Sequence, residues 1–383
     1  MKSKKIPHNN LILLFTYGLS LKIWDSLGLI DRELRYYDIM LAEGLAHINL
    51  LTYDKDDKHY QKNLASFVIL PCTTNHKLLY SVLAPLIHRS SFKSAHIIKS
   101  NQSRGAWVGV IAKLVRPSTL FIVRCGWVRT EEMMKRDEHL SSLKILWSKF
   151  VEKLSFHFSD AIFVTTATDK KYIESTYRIP AGKIKIIPNS VDSELFTVAS
   201  KKRSWAAPLK LISVGRCVEM KNFQNLILAV KGLKQVAEII IIGDGPYKQI
   251  LIDLAKQERV NVTFVSAIPN KDVAQYMQTA DVFIMPQLYG SGMSKVMIEA
   301  MSCGLIVIGS NIQAHREVLI DGKNGFLCET DPSSIRNCLK RILKKSPHSL
   351  DTISRRARED VIHKYSMRVN AKRELEIFAS LQN

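Results

Sequence analysis

Between residues 209 and 310 the chain alternates short apolar runs with amphipathic stretches of helical length. LKLISVG, AEIIIIGDG, VNVTFVSAI, DVFIMPQ and LIVIGS are the apolar runs, and NFQNLILAVKGL, YKQILIDLAKQ, KDVAQYMQTA and KVMIEAMSCG lie between them. A run such as IIII has no polar position on either face, so as a strand it must be covered on both sides. Helices between consecutive strands provide that cover and let the strands run parallel. The pattern predicts a doubly wound α/β domain.

The first half repeats the plan less regularly. Its strand candidates are LILLFTYG, HINLLTY, SFVILP, AHIIKS, TLFIVRCG and DAIFVTT, with RGAWVGVIAKLV as one intervening helix. IKIIPNSVDSELF reads as a last strand with a turn-rich exit, and KKRSWAAP as a linker. The tail RRAREDVIHKYSMRVNAKRELEIFASLQ is helical by pattern, with a break expected near Tyr365–Ser366. The architecture that follows is two Rossmann-like doubly wound domains facing one cleft. Residues 1–196 and 197–365 are the expected domains, and a helix of about 366–383 is expected to pack back on the first.

MKSKKIPHNNLILLFTYG has a basic start and a short apolar run, but no small-residue cleavage site follows. A first buried strand explains it better than a secretory leader. No stretch approaches the roughly 18 apolar residues that a membrane-spanning helix needs. The six cysteines form no C-x-x-C pair and no metal-ligand spacing, so reduced core residues of a cytosolic protein are expected.

The net charge of +20 calls for an anionic partner. Its placement is uneven: from residue 58 to 130 there is no Asp or Glu at all, among eleven Lys and Arg. No RNA-binding aromatic motif, zinc finger or helix-turn-helix pattern accompanies the charge, so nucleic acid is not the expected partner. Basic residues among apolar and aromatic ones, as in LWSKFVEKLSFHF, suit an anionic membrane surface. A core-facing amphipathic helix explains that segment equally well.

Ligands of open α/β sheets sit where strands end, so the loops after LKLISVG, AEIIIIGDG and DVFIMPQ come first. Arg216 and Lys221 follow Gly215, and two cations at a strand end suit a diphosphate, or are two surface cations of a basic protein. Gly243 and Gly245 allow close backbone approach, as any strand-to-helix turn would. Neither G-x-G-x-x-G with a downstream ribose acid nor G-x-x-x-x-G-K-[ST] is present, which argues against a dinucleotide oxidoreductase and a P-loop enzyme. Ser291, Gly292, Met293, Ser294 and Lys295 precede or open a helix whose amides could meet phosphate oxygens. Glu299 lies farther along that helix, where a carboxylate could take two vicinal ribose hydroxyls or simply stand at the domain rim.

GRCVEMKN, IIIIGDGP, VTFV, ADVFIMPQLYGSGMSKVMIEAMSCGLIVIGS and HREVLIDGKNGFL resemble, in order and spacing, glycosyltransferase family 4. Those enzymes are retaining, have the GT-B fold and use nucleotide sugars. The resemblance is strong over about 209–332, and TYGLSLK, IIKSNQSRGAWVG and FIVRCG extend it weakly into the first half. It implies a hexosyl donor bound as a nucleoside diphosphate sugar, with no cofactor and no metal. Arg216 and Lys221 would contact the diphosphate catalytically, and Glu299 the ribose. Gly18, Gly215, Gly243, Gly245 and Ser291 to Lys295 would complete the donor site. Ser20, Lys99, Arg124 and Cys125 would lie on the acceptor side.

Two departures stand out. The family's first glutamate falls at Ser291, eight positions before Glu299, and the histidine of many relatives falls near Cys125, beside Arg124. Arg124 would suit an acidic or phosphorylated acceptor. The acceptor implied is a saccharide or lipid-linked sugar of cell-envelope polysaccharide, lipopolysaccharide or glycolipid synthesis, met on the cytoplasmic face of the membrane. Ser291 motivates the alternative of a catalytically weakened nucleotide-sugar-binding module. His315 and Glu317 in QAHREVL could lie near the donor, or cap a helix, and are given no catalytic role.

Overall fold

The computed structural model describes residues 9–128, 130, 142–200, 203–290 and 292–382. The chain forms two compact units, one running to Pro188 and resuming at Asn370, the other spanning Asn189–Val369.

The first unit is built on seven parallel strands: β1 (Asn10–Leu14), β2 (His47–Leu51), β3 (Phe67–Leu70), β4 (Ile97–Ser100), β5 (Leu120–Cys125), β6 (Ala161–Val164) and β7 (Ile184–Ile186). Their order is β3-β2-β1-β4-β5-β6-β7. Helices α1 (Leu21–Ser26), α2 (Lys77–Ile87), α3 (Trp107–Val115) and α4 (Ser142–Phe158) are among its connections.

The second unit has six parallel strands: β8 (Leu209–Val214), β9 (Val236–Ile242), β10 (Val262–Val265), β11 (Val282–Met285), β12 (Ile306–Ser310) and β13 (Phe326–Cys328). They stand in the order β10-β9-β8-β11-β12-β13. Helix α5 (Lys295–Ser302) follows β11, and α6 (Pro347–Lys364) precedes the final helix α7 (Met367–Gln382). The winding direction reverses between β1 and β4 in one sheet and between β8 and β11 in the other.

The apolar runs behave as their composition requires. In β9, Ile239 and Ile241 enter one buried cluster, while Ile240 and Ile242 enter another on the opposite face. That is the period-2 side-chain alternation of a strand covered on both sides. All six cysteines are free and buried.

The unit boundary falls at Pro188, earlier than the expected 196. Residues 189–196 go with the second unit because Val191 and Phe196 are buried in its core, and Val191 pairs with Ser366. From Asn370 the last helix belongs to the first unit. Ala371, Leu375 and Phe378 are buried there, with Phe378 stacked on Phe163 at 6.1 Å.

Candidate functional site

In the second unit the loops after β8 and β11 lie side by side and are knitted together. Asn222 gives its amide hydrogens to Pro286 O at 2.9 Å and Thr330 O at 2.8 Å. Leu288 N donates to Met220 O at 2.9 Å. Lys221 Nζ donates to Gln287 Oε1 at 2.7 Å. Lys221 also runs over Gly215, whose missing side chain would stand 3.4 Å from Lys221 Cε. Arg216, on the same loop, is exposed.

The β11 loop then turns into α5. Gly292 has φ +78°, a left-handed value that favours glycine. Asn189 Nδ2 donates to Met293 O at 2.6 Å. Ser294 caps the helix, its hydroxyl accepting from Met297 N. Lys295 is the first helical residue and is half-buried. Glu299 is buried, and its Oε1 accepts from Asn270 Nδ2 at 3.4 Å. Ser291 lies outside the described residues.

Arg216, Lys221 and the start of α5 therefore gather at the carboxyl ends of the two strands that flank the reversal, the place where open α/β sheets take ligands. Gly243 and Gly245 do something else. A Cβ on Gly243 would stand 2.1 Å from Gly215 O, and one on Gly245 2.3 Å from Cys217 O. Their bareness lets the β9 loop press against the β8 loop, a packing role in addition to the ligand contact expected of them. Asp244 between them holds Lys248 Nζ at 2.6 Å and the Ala267 amide at 2.7 Å. The Ala267 amide, then Lys248, keeps its carboxyl below the usual carboxylate range.

His315 sits close under this loop pair. It is buried, Nδ1 lies 3.1 Å from Ser310 O, and its pKa is pushed down to about 4. Burial is the main cause; the Ser310 carbonyl pulls the other way, and the positive charge of Lys221 adds to the lowering. The imidazole is neutral at pH 7.

In the first unit, Gly18 has φ +85°, and nothing lies within 4 Å of where its side chain would be. Ser20, by contrast, is buried as the cap of α1, accepting from Ile23 N at 3.2 Å. The amides of Leu21 and Lys22 donate to Asp57 Oδ2 and Oδ1 at 3.0 and 3.1 Å. The helix start that follows the Gly18 loop thus already holds an anion from the chain itself. Burial raises the Asp57 carboxyl above its usual range, while Thr52 and those two amides oppose the shift.

Lys99 and Cys125 are corrections to the expected acceptor side. Lys99 is 1% exposed, and its ammonium lies 2.5 Å from Glu374 Oε2 of α7, among the rings of Tyr36, Tyr37 and Phe163. A charge buried in an apolar, aromatic setting needs a fixed partner, and Glu374 is that partner. Arg124 NH1 lies 3.7 Å from the other Glu374 oxygen and remains partly exposed. Cys125 is fully buried, its Sγ 3.1 Å from Trp127 O, and burial pushes its thiol pKa well up.

Sequence reasoning missed Asp57, Asn222, Gln287 and Asn270. Gln287 was within reach, since it follows β11 in the same loop as Ser291; the others act through folding contacts that no local pattern announces. Among the described residues no group of three His, Cys, Asp or Glu could hold a metal ion. None of their helices is long and apolar enough to cross a membrane.

A family model described as glycosyl transferases group 1 matches residues 199–360, and one described as glycosyltransferase family 4 matches residues 41–195. The chain is 29% identical over 201 residues to a putative colanic acid biosynthesis glycosyltransferase of Escherichia coli, covering 50% of this chain and 49% of that one. It spans about half the length of the curated relatives it matches. In fold it is similar to sucrose-phosphate synthase from Thermosynechococcus elongatus, with a TM-score of 0.79 at 20% identity over 97% of this chain and 99% of that one. The Anabaena protein HepE in complex with UDP gives a TM-score of 0.77 at 16% identity, over 97% and 100% of the two chains. With one model on each half and the two doubly wound sheets of those neighbours, the chain belongs to the family 4 glycosyltransferases of GT-B fold.

Proposed function

We propose that this chain is a retaining glycosyltransferase that moves a hexosyl group from a nucleoside diphosphate sugar to a saccharide or lipid-linked acceptor of the cell envelope, at the cytoplasmic face of a membrane. The observation that carries the reading is the joining of the β8 and β11 loops at the reversal of the second sheet, with Arg216 and Lys221 on one and the start of α5 on the other. The UDP bound by the Anabaena neighbour supports a nucleotide donor.

Arg216 and Lys221 would neutralise the charge that builds on the leaving diphosphate as its bond to the anomeric carbon breaks, with no metal required. The amides from Gly292 to Lys295 would add hydrogen bonds to the phosphate oxygens. Glu299 would accept from the two ribose hydroxyls. In a retaining transfer the acceptor oxygen bonds to the face the phosphate leaves, and its proton goes to a departing phosphate oxygen. On the first unit, Arg124 is kept as the proposed acceptor contact and the open Gly18 loop as a donor contact, with the buried Ser20, Lys99 and Cys125 withdrawn.

The test is release of free nucleoside diphosphate from a panel of nucleotide sugars, with and without saccharide acceptors. Turnover of at least one donor is expected, and Arg216→Ala should lower kcat/KM by about a hundredfold or more, the usual size of a lost electrostatic donor. Because Arg216 is exposed, the melting temperature should hardly move. Saturable binding with no turnover of any donor would favour the weakened binding module that Ser291 suggests.

A further inference from the structure

Helix α4 is amphipathic with its faces reversed. Its inner face carries Glu152, 2% exposed, which accepts from Tyr177 OH at 2.6 Å, Thr130 Oγ1 at 2.5 Å and Ser103 Oγ at 3.2 Å. Its outer face carries Leu143, Leu146, Trp147 and Phe150, exposed by 78, 64, 67 and 54%. The spacing i, i+3, i+4, i+7 makes these one stripe along the helix. A helix meant only for water would bury that stripe and expose the acid.

The same reversal continues next door. Helix α3 packs against both α4 and α2. In α2 the exposed residues include Leu78, Val82 and Leu86, while Tyr80, Ser81 and Ala84 face inward. Leu114 and Val115 at the end of α3 are 63 and 68% exposed. Three helices packed side by side thus each leave large apolar residues exposed, as a docking face would rather than an ordinary surface.

The charges of this face have one sign. Helices α2 and α3 contain no acid, and Glu152, the only acid of α4, is buried. Lys144, Lys149 and Lys153 flank the α4 stripe, and Lys77 opens α2. Long basic side chains beside apolar ones can bury their stems and leave the ammonium at a phosphate-rich boundary. A second copy of this chain would set these lysines against each other, whereas anionic lipid complements them.

We propose that the outer face of α2, α3 and α4 docks on an anionic bilayer, its apolar stripe among the acyl chains and its lysines at the headgroups. This rests on the reading of the chain as an enzyme that works at a membrane, and names the face that does so. The test uses the full chain with vesicles of neutral lipid, and of neutral lipid mixed with anionic phospholipid. Binding should need the anionic lipid and weaken as salt rises. Lipids brominated on the acyl chain should quench tryptophan fluorescence, and Trp147→Phe should remove most of that quenching. The double variant Leu146→Glu/Phe150→Glu, and separately Lys144→Glu/Lys153→Glu, should weaken binding at least about tenfold. Both pairs are at the surface, and hydrolysis of the donor in vesicle-free solution should stay as in the parent. Loss of that hydrolysis in the parent chain would count against the enzyme reading alone. Equal binding to neutral vesicles, no quenching, or a dimer dissolved by the Leu146→Glu/Phe150→Glu change would overturn the docking proposal.

Discussion

Asn222 stands at φ 57°, a region that residues other than glycine seldom occupy. Its short amide side chain offsets that cost by bonding Pro286 O and Thr330 O, and so fixes where the neighbouring Lys221 begins. His315 is held in the same neighbourhood by burial, and it makes stability depend on pH. Its folded pKa of about 4 lies below the ordinary 6.5, so on acidification the unfolded chain takes up the proton first. The stability it contributes is complete above about pH 6.5 and is lost as pH falls from there to about 4, on the order of 3 kcal/mol in all. Urea unfolding at several pH values in that window should show a shallower acid slope for His315→Asn than for the parent. Identical slopes would mean that His315 is not kept neutral by the fold.

At the scale of elements, α7 is fastened to the first unit by the buried Lys99–Glu374 pair amid apolar packing. Removing one partner strands the other charge in the core, which costs about 3–5 kcal/mol. Glu374→Gln should therefore lower the unfolding free energy by roughly that amount, and Lys99→Met/Glu374→Leu should recover most of it. A loss below about 1 kcal/mol, typical of exposed pairs, would show that the pair is solvated. This element also marks where sequence reading stops. The helical period of the tail and its break at Tyr365–Ser366 were legible, because both are local. That Lys99 answers Glu374 was not, because 275 residues separate them and a basic residue in an acid-free span reads as surface. The reversed faces of α4 escaped for a related reason: an apolar stripe is the same in sequence whether it points in or out.

For the molecule as a whole, the parallel sheets were legible because strands such as IIII admit no face toward water. The winding reversal beside β8 and β11 could not be read from any run; it emerges only when strand order is known, and it turns Arg216 and Lys221 from two cations of a basic chain into a candidate diphosphate site. Gly243 and Gly245 show something no run announced: glycines that suggest a ligand also let two loops touch. The central claim is that the second unit binds a nucleoside diphosphate through those loops and α5. Calorimetric titration of the full chain with uridine diphosphate, and with the guanosine and adenosine analogues, addresses it most directly. One saturable site is expected for at least one of them. Glu299→Gln should weaken that site about ten- to hundredfold, the range for loss of a charged hydrogen-bond partner. No saturable binding of any of the three, or an affinity unchanged by Glu299→Gln, would contradict the account.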